Sequence, residues 1–463
     1  MDAILRLVEI LNQYLWNSLL LVALVGTGVY FTIRLGFVQV RKLGQGLKFT
    51  LGGLTLRGEK ADHQGMSSFQ ALATAVAGQV GTGTIAGAAT AIVSGGPGAV
   101  FWMWVSAFFG MATNYAEAVL AQKYRTTDEN GKAVGGPAYY IRAAFPNRFG
   151  KVLAGFFSAA LILALGFMGN MVQSNSISDA MYNAFGVPKI VVGVAVALVA
   201  GFIFLGGVQR IVSVTEKLVP VMALLYIGGS LIVLACNWRS LPGMIASIFV
   251  AAFDPAAVLG GAAGITVQKA MRFGVARGLF ANEAGMGSTP HAHALAKVEK
   301  PQDQGITAMI GVFLTTFVIL TLTALVILST GAAASGLTGA ALSQYAFATV
   351  FGKAGNVFIA LCMLFFAFST IVGWYLFGQM NVKVLLGERA VKPYALLVVM
   401  FIAVGACLKV QLVWDAADLF NGLMVLPNLL ALLALSKLVV NLERACRADE
   451  ETTGKPAASA CGE

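Results

Sequence analysis

Between Ser67 and Ala116 the chain carries no charged side chain, yet glycine punctuates the middle of that run at Gly78, Gly81, Gly83 and Gly87. An uncharged stretch of this length belongs inside a bilayer, but glycine is a poor helix former and loses more backbone freedom on folding than any other residue. Unpaired backbone groups cannot face hydrocarbon, so a helix broken there has to line a cavity within the protein. A discontinuous membrane helix offers free N–H and C=O groups and two dipole ends at mid-depth. That combination suits a zwitterion and a small cation. The whole chain agrees with this class, being 58% hydrophobic and 11% charged with a mean hydropathy of +0.80. A water-soluble fold of 463 residues needs far more charge on its surface.

Eleven spans are predicted, at 15–37, 67–93, 97–122, 151–184, 188–208, 212–236, 256–276, 305–331, 355–385, 393–410 and 413–441. Grouping the loops by side places 26 of the 31 Lys and Arg on one face. Those residues run from Arg34 to Lys60, Lys123 to Lys151, Arg210 and Lys217, Lys269 to Lys300, Lys383 to Lys392, and Lys437 to Lys455. The positive-inside rule makes that face cytoplasmic, with the N-terminus outside and the C-terminus inside a plasma (inner) membrane. The net charge of +10 is then topological and implies no nucleic-acid partner. Ile4, Leu7, Leu11 and Leu15 repeat at helical spacing, which predicts an opening segment along the membrane face. Asp2, Arg6 and Glu9 argue against a cleavable signal peptide, and the five cysteines have no metal or disulfide spacing.

The chain divides as 1–66 (opening segment, extra span and loop), 67–236 (five spans), 237–255 (an outer connection), 256–441 (five spans) and 442–463 (a polar tail). Five spans per set force the two sets into opposite orientations. Each opens on a glycine-interrupted helix, the second at Gly260, Gly261 and Gly264. Matching breaks in two halves point to a transporter site, although glycines that merely let helices pack closely give the same pattern. The stretch Gly278–Gln304 is expected as a cytoplasmic loop.

Several further stretches resemble the alanine or glycine:cation symporters. They are Gly98-Ala99-Val100-Phe101-Trp102-Met103-Trp104-Val105-Ser106, Gly81-Thr82-Gly83-Thr84-Ile85, Asn114-Tyr115-Ala116-Glu117, Gly169-Asn170-Met171-Val172-Gln173, Gly207-Val208-Gln209-Arg210-Ile211, and Arg277 to Ser288 through Asn282-Glu283-Ala284-Gly285-Met286-Gly287. The match runs in order from about residue 67 to 440. Thr84 and Ala281 depart from the pattern, which has Asn and Ser there. The resemblance implies an all-α membrane protein with a leucine-transporter-like 5+5 inverted repeat preceded by one extra helix. It also implies sodium-driven uptake of alanine or glycine.

An amino acid needs donors for its carboxylate and acceptors for its ammonium. Backbone N–H groups at Thr82 and Gly83, opening the second half-helix beyond Gly78, suit the carboxylate. Carbonyls around Gly260 and Gly261 suit the ammonium, with Gln79, Asn170 and Gln173 as candidate side-chain contacts. By resemblance, sodium is held by the carbonyls of Ala77, Val80 and Phe366 and the hydroxyls of Ser369 and Thr370. A Ser/Thr pair bonded back to its own helix is the plainer alternative. Trp374, one turn beyond Thr370, is a candidate cap that excludes larger side chains, and Val267 and Met271, beyond Gly264, are candidate walls. Glu117 and Glu283 are expected as solvated helix ends, or else as partners of Arg277 or Arg272 in an inner gate. Asp415 and Asp418 are expected to be wet. His291 and His293 are too isolated for a metal site, and the glycine cluster lacks the strand a nucleotide loop requires.

The expectation is a secondary transporter with no catalytic residues and no cofactor beyond sodium as coupling ion. A proton-coupled carrier of the same fold is the nearest rival. It calls for an intramembrane carboxylate or histidine, and none is evident between the two glycine breaks. A passive channel and an intramembrane enzyme fit less well, since no nucleophile-base pair lies within the spans.

Overall fold

The structure is a computed structural model that describes residues 2–52, 65–128, 131–259, 265–408 and 410–453. Apolar sequence with little charge has a single way to satisfy its backbone in lipid, and nearly all of it is helical. In chain order the helices used below are α1 (Asp2–Tyr14), α2 (Leu20–Arg34), α3 (Ser68–Gln79), α4 (Ala88–Gly95), α5 (Gly98–Lys123) and α6 (Arg148–Phe185). Next come α7 (Lys189–Leu205), α8 (Gly207–Cys236), α9 (Leu241–Phe253), α10 (Val267–Asn282), α11 (Pro290–Ala294) and α12 (Pro301–Ser329). The chain closes with α13 (Gly339–Phe351), α14 (Lys353–Leu386), α15 (Val391–Gly405), α16 (Val410–Ala434) and α17 (Ser436–Thr453).

By length and hydropathy, α6, α8, α12, α14 and most of α16 are each long enough to cross a membrane, and α3 with the helix that follows it forms a sixth, bent span. Exposed Leu198, Phe202 and Leu205 on α7 and Leu224 on α8 are the outward side chains of a lipid-facing wall. The predicted span 256–276 is not one helix. A short turn ends at Leu259, residues 260–264 lie outside the described set, and α10 runs on to Asn282. The opening segment does not end as a separate surface helix, because α1 passes through a π turn (Leu15–Leu19) into α2. It is fastened to α16, since Asn12 donates to the Asp415 carbonyl at 2.8 Å and Trp16 to the Asp418 carbonyl at 3.1 Å.

The first expected break is present. Ser67 and Gln70 form a reciprocal capping box that starts α3. The helix stops at Gln79, where Val80 leaves helical geometry (φ −89°, ψ 73°), and a π turn at Gly83–Gly87 restarts it at a bend of 49°. A second interruption follows α10, across residues 283–289. Glu283, Gly285 and Gly287 all have positive φ, and Pro290 opens α11. Here α10 packs along α4 while α11 packs along α3, so the two broken helices run antiparallel with their gaps side by side.

At its far end α17 folds back on the bundle. Glu443 is almost fully buried and accepts from Tyr115 at 2.5 Å and from Arg41 at 3.0 Å.

Candidate functional site

Breaking a helix strands backbone groups, and the partners they find define the site. At the first gap Gly81 N–H turns back to the Gln79 carbonyl, leaving the Ala77 carbonyl without its helical donor. That carbonyl accepts from the Thr370 hydroxyl of α14 at 2.8 Å. Thr82 N–H, freed in the same way from Gly78, donates to Gln173 Oε1 of α6 at 3.1 Å. Glycine is required at position 81 because a Cβ there would overlap Thr370 Oγ1 and come within 3.0 Å of Gln173 Oε1.

Around this gap several buried polar atoms have no partner among the described residues: Gln79 Oε1, Thr82 Oγ1, Asn170 Oδ1 and Gln173 Nε2. Buried polar atoms are rarely left unpaired, and a concentration of them marks a place a ligand completes. Asn170 spends its amide on the Gly166 carbonyl of its own helix at 3.1 Å, whereas Gln173 reaches the first gap directly.

Two α14 hydroxyls meet the expected ion-site carbonyls. Thr370 lies 3.1 Å and Ser369 2.8 Å from the Phe366 carbonyl, so Ala77, Phe366, Ser369 and Thr370 form one continuous set of oxygens. Both hydroxyls bond back to their own helix, and Thr370 also crosses to the broken one. Val80 is the residue at which α3 ends.

The second gap is held by acidic residues the sequence places in water. Glu117 and Glu283 are both fully buried. Glu117 accepts from Gly285 N–H at 3.0 Å, from Gly287 N–H at 2.9 Å and from Asn428 Nδ2 at 2.6 Å, so one carboxylate pins the unwound loop to α5 and α16. Glu283 accepts from Ser288 and, at 2.5 Å, from the Trp374 indole. Asn282 joins the two gaps, for its carbonyl accepts from Gln79 Nε2 at 2.8 Å and its amide donates to Thr316 at 3.1 Å. Replacing Glu117 with Ala strands three donors and is expected to cost about 3 kcal/mol. The thermal midpoint in detergent should fall well below that of the parent, with Glu117→Gln in between. An Ala variant that melts with the parent would remove this role.

Trp374 lies between the gaps, its ring against Gly169 and Phe280 and its pyrrole edge against Gly78. Gly83 faces Phe280 and Ala281 of α10, which a Cβ would approach to 2.9 and 3.1 Å. Val267 and Met271 sit at the far end of α10, roughly 16 Å or more along the helix from Asn282, and so do not wall this centre. Gly260, Gly261 and Gly264 lie outside the described residues; among the described ones, the segment 280–289 faces the first gap. Residues 279–294 are accordingly buried helix and loop rather than a cytoplasmic connection. Nor does Arg277 join an inner gate. It grips Asp418 of α16 through two bonds of 2.9 and 3.1 Å and stacks on Trp414, so Asp418 is paired rather than wet.

A cavity of about 750 Å³ is lined by Met66, Gln70, Glu216, Leu295, Gln379 and Lys383 among others. It follows α14 as far as Gln379, roughly 13 Å from Thr370 along the helix. There Gln70 ties α3 to Glu216 of α8 at 3.0 Å.

Sequence reasoning gave no role to Asn282 or Asn428, and it placed Glu117 and Glu283 at solvated helix ends or in an inner gate rather than at this gap. One signal was available: Gly285-x-Gly287 repeats the spacing of Gly81-x-Gly83.

Residues 1–459 match the family model described as "Sodium:alanine symporter family". The chain is 41% identical over 443 residues to the "Sodium/alanine symporter AgcS" of Methanococcus maripaludis, covering 95% of this chain and 96% of that one. It is 41% identical over 436 residues to the "Probable sodium/glutamine symporter GlnT" of Bacillus subtilis, covering 94% and 89%. Among solved structures it is similar to MhsT in complex with L-phenylalanine, with a TM-score of 0.58 at 14% identity over 83% of this chain and 99% of that one. A sodium-coupled sialic acid symporter gives 0.51 at 14% identity, over 86% and 81%. These two likenesses are of fold alone, that of the leucine-transporter-like transporters.

Proposed function

Since this chain belongs to the sodium:alanine symporter family and is an integral membrane transporter, we propose that it imports a small neutral amino acid, alanine or glycine, together with sodium by alternating access. One observation carries this reading: the first gap gathers the carbonyls of Ala77 and Phe366 with the Ser369 and Thr370 hydroxyls beside unpartnered atoms of Gln79, Thr82, Asn170 and Gln173. Hard oxygen donors without a carboxylate suit a monovalent ion, and in this reading Val80 completes the set. Gln173 Nε2, which has no partner among the described residues, takes the substrate carboxylate together with the N–H groups of Thr82 and Gly83, the former exchanging its bond to Gln173 Oε1 for the substrate. Trp374 and Phe280 leave room for a small side chain.

In the same proposal the protein crosses a bacterial inner membrane eleven times. One helix precedes two inverted five-helix sets (67–236 and 256–441), with the N-terminus outside and the C-terminus inside. The antiparallel broken helices support the inversion. So does the cavity, whose walls come from four of the basic connections, near residues 65–70, 128–139, 206–216 and 379–388. Because α10 packs along α4, Lys269, Arg272 and Arg277 move to the outer side, which leaves the inner excess at 23 of 31. One sodium ion crossing ~100 mV yields about 2.3 kcal/mol, and a tenfold gradient adds about 1.4 kcal/mol. Together these support accumulation of several hundred-fold.

Proton coupling is a second reading, favoured by the burial of Glu117 and Glu283. Uptake of radiolabelled alanine into proteoliposomes separates the two. Accumulation is expected with a sodium gradient and is expected to vanish when potassium replaces sodium at the same potential. Uptake driven by a pH gradient without sodium would reverse the choice.

A further inference from the structure

Resting on the symport reading above, we propose that the Glu283 carboxylate is the seat of a monovalent cationic group, either the ammonium of the amino acid or a second alkali ion. Glu283 is fully buried, yet both groups bonded to it, the Ser288 hydroxyl and the Trp374 indole, are neutral. No Lys or Arg pairs with it among the described residues. Arg277, on the same helix, is committed to Asp418, and His291 is bonded to the Ser288 carbonyl and Asn381. The other acid nearby, Glu117, is taken up by Gly285, Gly287 and Asn428, so it supplies no positive charge. An ionised carboxylate accepts through both oxygens, and burying it without a compensating cation is costly.

A second observation is independent of the charge. Glu283 holds a left-handed backbone (φ 57°), and Phe37 is the only other non-glycine residue with positive φ among the described residues. Strain of this kind persists where the surrounding fold imposes it, and it gathers at functional sites. Here it turns the carboxylate out of α10 toward Trp374, whose pyrrole edge touches Gly78 at the first gap. The preceding residue, Asn282, is bonded to Gln79 in that same gap. Glu283 is therefore the one carboxylate adjoining both gaps among the described residues that has bonding capacity left for a ligand.

The test measures alanine and sodium binding separately on purified full-length protein, for the parent, Glu283→Gln and Glu283→Asp. If the carboxylate seats the ammonium, Glu283→Gln weakens alanine at least 30-fold, about 2 kcal/mol, and leaves sodium binding measured without alanine within threefold. If it seats an alkali ion, the sodium affinity falls instead. In either case Glu283→Asp, which keeps the charge, retains the larger part of the binding. The unmodified protein provides a second readout should the Gln variant fail to fold. Labelling of Glu283 by a hydrophobic carbodiimide, read by peptide mass spectrometry, should be slowed at least fivefold by the ligand it seats, with Glu117 as the internal reference. A folded Gln variant that holds both ligands within threefold overturns the proposal, as does the absence of protection by either ligand where no such variant is obtained. Parent protein that binds no alanine while sodium protects Glu283 would end the amino-acid reading and leave the cation seat standing.

Discussion

Gly81→Val is expected to abolish sodium-dependent alanine uptake, by more than 100-fold, in protein that still reaches the membrane and elutes as a single species. The cause is local. A Cβ at position 81 overlaps Thr370 Oγ1 and presses on Gln173 Oε1, the two groups that satisfy the freed Ala77 carbonyl and Thr82 N–H. The backbone at 81 has no room to retreat, since its N–H is already turned back to Gln79. Two γ-methyl groups would separate α14 from the broken helix at the point where both oxygen sets meet. Gly228, with nothing within 4 Å of its Cβ position, is the control: Gly228→Ala should transport normally. Alanine uptake by Gly81→Val within threefold of the parent would place the working centre elsewhere.

Removing the two α14 hydroxyls with Ser369→Ala and Thr370→Val is expected to raise the sodium concentration for half-maximal uptake by 10- to 100-fold. Each oxygen lost from a site of neutral donors is expected to cost roughly 0.7–1.4 kcal/mol, in the range of a single hydrogen bond. The two residues are not equivalent. Ser369 touches only its own helix and the Met222 sulfur, whereas Thr370 also crosses to Ala77. Thr370→Val should therefore have the greater effect, and Thr370→Ser should recover most of it. An unchanged sodium dependence in the double variant would remove these hydroxyls from the ion path.

The first gap was legible because its signal is local: glycines clustered in a charge-free apolar run weaken the helix at the very place where they stand. The family resemblance, more than the local sequence, pointed to the Ser369-Thr370 pair, and the Thr370 hydroxyl reaches the Ala77 carbonyl of the first gap. The second gap was not legible. Sequence reasoning points to Gly260, Gly261 and Gly264, which lie outside the described residues, and reads Glu283 as a solvated helix end or a gate partner of Arg277 or Arg272. What makes Glu283 and Glu117 tolerable in the interior is contributed by distant chain: Trp374 for one, and Gly285, Gly287 and Asn428 for the other. Such partnerships have no period and no spacing. Asp418 misleads in the same manner, since its partner Arg277 lies far back in the sequence.

Thr370 and Trp374 stand one turn apart on α14, the former gripping one broken helix and the latter the other. Whatever occupies the hydroxyl side and whatever occupies the indole side thus press on the same short rod, a few ångströms from each other. No relay through the bundle is required for one passenger to sense the other. Under the proposed symport, idle leakage of ions without cargo would require that single turn to yield, so the tightness of coupling would rest on the turn from Thr370 to Trp374 rather than on the whole scaffold.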